Sequence, residues 1–253
     1  MKHLPNLLTL ANLICGCIAI VFILNSQPFL SAFNDREYWV IGTEQAYWGA
    51  YFIFFAAIFD VLDGMAARGL QIFSPIGKDL DSLADIISFG VAPSMILFKF
   101  LWAAYMTEPY ALDVYMLYMI PAFLPVCAGA IRLARYNITS DQQKNSFIGM
   151  PIPTAGLVLA TLPLINWQFP EYGVYLQNKW VLYIVIALVS WLMVSKIRFM
   201  KLFPSKPNLM KHWPQLVVLL TLVAGAIVIK VLIVPIAFVL YIVLSFIHKA
   251  EEA

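Results

Sequence analysis

Four carboxylates, Asp60, Asp63, Asp81 and Asp85, stand at helical spacing inside segments otherwise apolar enough for a lipid bilayer. The stretch reads Asp60-Val-Leu-Asp63-Gly64-Met-Ala-Ala67-Arg68, then eight residues, then Gly77-Lys-Asp-Leu-Asp81-Ser-Leu-Ala-Asp85. A carboxylate at the bilayer centre costs roughly 2.5–3.5 kcal/mol on the mild insertion scale, so four together oppose insertion unless counter-charge meets them. Hard cations held in a polar cavity at a membrane surface supply that charge, and oxygen-only ligands suit Mg²⁺ or Mn²⁺, not zinc.

The rest of the chain fits a membrane. Of 253 residues, 62% are hydrophobic and 12% charged, against about 25% charged in a soluble domain. No stretch reads as a linker or repeat, so residues 1–253 are expected to form one transmembrane catalytic domain, all-α, with its core over about 5–155 and further helices over about 178–248. A net charge of +2 gives no reason to expect nucleic acid as a partner. Cys15, Cys17 and Cys127 have no metal-ligand spacing and read as small packing residues. The apolar run from Leu4 to Leu24 is too long for a secretory h-region and reads as a retained first span.

Runs of about 20 apolar residues cross a bilayer. On that measure about eight helices are expected, over 5–25, 47–70, 79–103, 110–137, 152–167, 178–196, 212–229 and 231–248. The fifth is short and the last two are separated by a tight turn near Lys230, which keeps seven in play. With the N-terminus inside, the cytoplasmic side takes all Lys and Arg except Arg36, Lys99, Lys179 and Lys230, as the positive-inside rule requires. The acidic constellation then faces the cytoplasm. The basic segment from Lys196 to Lys211 reads as a topology determinant near anionic headgroups.

At about 100° per residue, Asp60 and Asp63 lie within about 60° of each other, with Gly64 and Ala67 on the same stripe. That face offers two ligands and then a bald patch where a flat group can approach the backbone. Asp81 and Asp85 are one turn apart, and Ser88 continues their stripe. Asp79 points roughly 200° away from Asp81 and is excluded from the set. Two cations between facing carboxylates suit in-line displacement at phosphorus, with Arg68 placed to grip a phosphate and one carboxylate to take a proton.

The spacing D-x2-D-G-x2-A-R-x8-G-x3-D-x3-D resembles the motif of the CDP-alcohol phosphatidyltransferases at every defined position. Pro5-Asn6-Leu-Leu-Thr9-Leu-Ala-Asn12, Leu80 to Pro93, Arg132-Leu-Ala-Arg135-Tyr-Asn137 and Phe147-Ile-Gly-Met-Pro-Ile-Pro153 are similar to the bacterial and archaeal members that use L-serine. The resemblance implies transfer of the phosphatidyl group of CDP-diacylglycerol to L-serine at the inner membrane, by a homodimer carrying two Mg²⁺ or Mn²⁺ ions per site. It implies that Asp60, Asp63, Asp81 and Asp85 ligate metal and that Asp85 is also the catalytic base. It further places Gly64, Ala67, Arg68, Ser74, Asn6 and Thr9 on CDP-diacylglycerol, and Arg132, Arg135 and Ser88 on the acceptor.

Two alternatives stay open. Arg132 and Arg135 suit the phosphate of glycerol-3-phosphate or inositol phosphate as well as a serine carboxylate, and related enzymes use those acceptors. Intramembrane carboxylates also mark ion paths, so a divalent-cation transporter is the rival from another class. It fits less well, because a cation path has no use for the neighbouring arginines.

Overall fold

The first helix, α1 (Leu4–Leu24), turns the pattern of a soluble protein inside out. Its buried stripe is Pro5, Thr9, Asn12, Gly16, Ala19 and Ile23, mostly small or polar, while Leu7, Ile14 and Val21 stand outward. Lipid is as apolar as leucine, so membrane helices associate through close packing of small residues and polar contacts, not through burial of large side chains. The computed structural model describes residues 3–25, 28–33, 36–41, 43–71, 75–139, 146–200 and 213–251.

After α1 comes an antiparallel ribbon of β1 (Pro28–Phe33) and β2 (Arg36–Ile41), with Pro28 opposite Ile41 and Phe33 opposite Arg36. The long α2 (Thr43–Gly69) packs along α1 and carries Asp60 and Asp63 in its last third. The third expected helix is continuous but not uniform: α3 (Pro75–Asp85) runs through a π-helical turn, Ile86–Val91, into α4 (Ala92–Met106). Pro93 accounts for the turn. It has no N–H, and its ring crowds the carbonyl four residues back, so the ladder widens and the Ala92 amide bonds to the Ile87 carbonyl.

The fourth expected helix, 110–137, is regular α only in its second half. Short 3₁₀ turns, Ala111–Asp113 and Met116–Phe123, precede α5 (Leu124–Thr139). Pro121 sits inside the second of them and removes a donor an α-helix would need. Then follow β3 (Ser146–Ile148), α6 (Ile152–Gln168), the single turn α7 (Gly173–Leu176), α8 (Lys179–Val194), β4 (Arg198–Met200), α9 (Trp213–Val228) and α10 (Ile233–Glu251). β3 and β4 pair antiparallel, Phe147 opposite Phe199.

Among the described residues, five helical stretches are long and apolar enough to span a bilayer: Leu4–Leu24, Ala46–Gly69, Ile76–Met106, Met116–Thr139 and Lys230–Ile247. α6, α8 and α9 have 17, 16 and 16 residues and fall short of that length. Beside these five, α8 and α9 are shorter apolar helices, so the expected count of about eight spans is not reached on this measure. Residues 201–212, most of the basic segment, lie outside the described residues, as does Ser74.

The ends of the helices far from Asp60 and Asp63 are tied by polar groups. Lys179 at the start of α8 pairs with Glu108 after α4, donates to the Tyr110 hydroxyl at 2.7 Å, and lies over the Tyr105 ring. The Tyr105 and Tyr183 hydroxyls are 2.8 Å apart, and Tyr183 donates to the Tyr118 carbonyl at 2.6 Å.

Candidate active site

Three carboxylates from two helices converge. Oxygens of Asp60 and Asp63 on α2 and of Asp81 on α3 all lie within 4.8 Å of one another. Asp85, one turn beyond Asp81, completes the group and interacts electrostatically with the other three. Like charges so close repel strongly in a low-dielectric setting. Among the described residues no ion pair offsets them, and Asp81 Oδ1 is buried without a hydrogen-bond partner. An oxygen-only donor set with an orphaned buried oxygen and an excess of negative charge fits hard divalent cations. Asp79 stays out, exposed on the opposite side of α3. The helix begins at Pro75, four residues earlier than the sequence suggests, which places Asp79 in its second turn.

α1 forms the third wall. The Thr9 hydroxyl lies 2.7 Å from Asp63 Oδ2 and 3.0 Å from the Pro5 carbonyl, so it orients the carboxylate from within the buried stripe. Asn6, half-buried, sits one turn nearer the helix start. Asn12, a full turn below Thr9, donates from Nδ2 to Asp85 Oδ1 at 3.5 Å. Asn12 ends the Pro5–Asn12 motif with no expected role, and its place in the Thr9, Asn12, Gly16 stripe is the sequence signal that marks it. The Ser88 hydroxyl donates to the Asn12 carbonyl at 3.0 Å, and a Cβ on Gly16 would come within 2.5 Å of that oxygen. Ser88 thus joins the π turn to α1.

Gly64 and Ala67 are half-buried beside the carboxylates. Arg68, exposed, folds back so that a Cβ on Gly64 would lie 3.4 Å from its Nη1. The bald face and its flanking cation are thus adjacent, next to Asp63.

The two arginines of α5 part company. Arg132 is 5% exposed, its guanidinium 5.2 Å from the Tyr136 ring and 5.3 Å from the Phe147 ring, with Nε unpartnered. It also interacts electrostatically with Asp85 and Tyr241. Arg135 instead donates to the Val194 carbonyl of α8 at 3.0 Å. Asn137 completes the motif by donating to Ser82 Oγ at 2.9 Å, while Lys78 donates to the Asn137 carbonyl at 3.0 Å, which ties α5 to α3.

The C-terminal half builds the wall behind Arg132, more than its sparse motifs suggest. Phe147 is held by the pairing of β3 with β4. Phe199 stacks on Tyr241 of α10, whose hydroxyl donates to the Met200 carbonyl at 3.0 Å. Gly149, at φ +78°, lets the chain pass α8: a Cβ there would stand 2.3 Å from the Met193 carbonyl oxygen.

The profile of the CDP-alcohol phosphatidyltransferases matches residues 2–192, further than the 5–155 over which the motifs are evident. The chain is 33% identical over 218 residues to the CDP-diacylglycerol–serine O-phosphatidyltransferase of Bacillus subtilis (strain 168), covering 84% of this chain and 94% of that protein. With the Helicobacter pylori (strain ATCC 700392 / 26695) protein of the same name, identity is 32% over 206 residues, 81% of this chain and 75% of the relative. With that of Methanocaldococcus jannaschii it is 36% over 155 residues, 61% and 64%. A match spanning most of the chain, together with the converging aspartates that the family motif specifies, makes this protein a member of the CDP-alcohol phosphatidyltransferase family.

Proposed function

We propose that the protein transfers the phosphatidyl group of CDP-diacylglycerol to L-serine, giving phosphatidylserine and CMP. The convergence of Asp60, Asp63 and Asp81, with Asp85 and the buried Arg132 beside them, carries the reading. The names and extent of the relatives support the substrate pair. The chain crosses the inner membrane eight times with its site toward the cytoplasm, as the distribution of lysine and arginine favours. It works as a homodimer.

Asp60, Asp63, Asp81 and Asp85 would together hold two divalent metal ions. Bound there, Mg²⁺ or Mn²⁺ offsets the charge that builds on the pyrophosphate oxygens. Gly64 and Ala67 leave room for the nucleotide close to the backbone, Arg68 grips a phosphate, and Asn6, Thr9 and Ser74 close that pocket. Thr9 acts largely through Asp63, given their 2.7 Å contact. On the acceptor side Arg132 binds the serine carboxylate. A buried guanidinium whose Nε has no hydrogen-bond partner is stabilised by an anionic ligand. Arg135 and Ser88 support that subsite from its rim, each already bonded to a carbonyl.

Asp85 takes the proton of the serine hydroxyl. The serine oxygen forms a bond to the phosphorus bearing diacylglycerol, the pyrophosphate P–O bond breaks, and CMP leaves with the electron pair. The test is purified protein with CDP-diacylglycerol, Mn²⁺ or Mg²⁺, and a panel of serine, glycerol-3-phosphate and inositol phosphate. CMP release with serine alone is expected; release with either phosphate and not with serine overturns the acceptor. Asp85→Asn should abolish turnover and leave CDP binding in place.

A further inference from the structure

We propose that Asn12 is a positioning residue: its amide anchors one oxygen of Asp85 to the first helix and turns the other toward the acceptor hydroxyl. The inference rests on the reading of Asp85 as the group that takes the acceptor's proton. Asn12 has no exposed surface and lies in the middle of the buried stripe of α1. Its Nδ2 faces Asp85 Oδ1 at 3.5 Å, so Oδ2 is the carboxylate oxygen that Asn12 does not hold. A carboxylate only accepts, so the amide must present its nitrogen there. That leaves Asn12 Oδ1 buried and unpaired.

A buried amide with an unmet acceptor is a poor packing residue in this stripe, where Gly16 and Ala19 otherwise serve. Its retention beside Asp85 is explained by the one bond it does make. The backbone fixes that bond with care. The Asn12 carbonyl accepts from Ser88, and Gly16 admits the Ser88 hydroxyl where any Cβ would collide. Ser88 stands in the π turn that begins directly after Asp85. The height and rotation of Asn12 relative to Asp85 are therefore set from both sides of the carboxylate. The contact is long here; hydrogen bonds of this kind tighten in the substrate complex.

The test uses the full chain in lipid nanodiscs with CDP-diacylglycerol, serine and Mn²⁺. Asn12→Leu should lower kcat by about 10- to 100-fold, the range for residues that orient a functional ligand. The KM values for both substrates, CDP and Mn²⁺ affinity by calorimetry, and the thermal midpoint should not move. Asn12→Gln, which keeps an amide, should recover part of the rate. If Asn12→Leu does not insert, Asn12→Ala carries the same comparison.

A wild-type kcat in the variant overturns the proposal. So does a loss of rate accompanied by matching losses of CDP affinity, Mn²⁺ affinity and melting point, which would make Asn12 a packing residue. Asp85→Asn, run alongside, separates the two readings: if it retains near-normal turnover, the role given to Asp85 fails whatever Asn12 does. If Asp85→Asn is inactive while Asn12→Leu turns over normally, only the present inference fails. Adding Asn12→Leu to Asp85→Asn should cost nothing further, as expected of two residues acting as one unit.

Discussion

Arg132 and Arg135 are one turn apart and of the same type, yet only one of them is built into the site. Arg132 lies buried between the Tyr136 and Phe147 rings; Arg135 reaches the Val194 carbonyl. A charge-assisted hydrogen bond is worth about 1.5–3 kcal/mol, or roughly 10- to 100-fold in binding. Arg132→Lys keeps the charge but loses the planar fork. It should raise the KM for serine by about that factor with the KM for CDP-diacylglycerol unchanged, as steady-state CMP release would report. Arg135→Lys should change neither by more than a few fold and should instead lower the melting point. The i, i+3 spacing could not separate the two, because the rings that enclose Arg132 come from α5 and from a ribbon strand folded over it. The acidic set was legible for the opposite reason: its four members lie on two consecutive helices, where period alone decides which side chains share a face. Asp79 illustrates the same rule by staying outside.

At the scale of elements, irregular turns do the placing. The π turn after Asp85 and the left-handed Gly149 are single-turn features that period-based reading passes over, although Pro93 and the Gly-Met-Pro run stood in plain view. Both arise from local chemistry whose outcome depends on the neighbouring helix. A non-glycine residue in left-handed geometry costs about 1–2 kcal/mol, and at 149 the added methyl also strikes the Met193 carbonyl. Gly149→Ala should therefore lower the thermal midpoint in nanodiscs and, by shifting Phe147, weaken serine binding in the surviving fraction. Gly16→Ala, which drives a methyl into Ser88, should lower kcat as well as stability, since Ser88 and Asn12 share a bond. The helices themselves were placed to within a few residues except where proline intervened, at 110–123.

The molecule as a whole has one open and one fastened end. The converging carboxylates with Arg68 and Arg132 occupy the first; Lys179, Glu108 and a group of tyrosines close the second. An exposed ion pair and its cation–π contacts are screened by solvent and contribute modestly. Lys179→Met should thus cost a few degrees of melting temperature and leave turnover untouched. Chelation should do the reverse: EDTA should abolish CMP release, and added Mn²⁺ or Mg²⁺ should restore it and raise the melting point by mass action. Spanning length was the least legible global property, because α8 and α9 are shorter than their apolar runs imply.

The reversed stripe of α1 sets where the chain tolerates change. Leu7, Ile14 and Val21 stand exposed on the outward face and should exchange for other apolar residues of differing bulk. Gly16 meets the Ser88 backbone too closely for even one extra carbon, and Thr9 and Asn12 face the Asp63 and Asp85 carboxylates across the buried interior. Mutational tolerance along this helix should therefore alternate with the turn, permissive toward the lipid and closed toward the centre, with size and not greasiness as the quantity that decides.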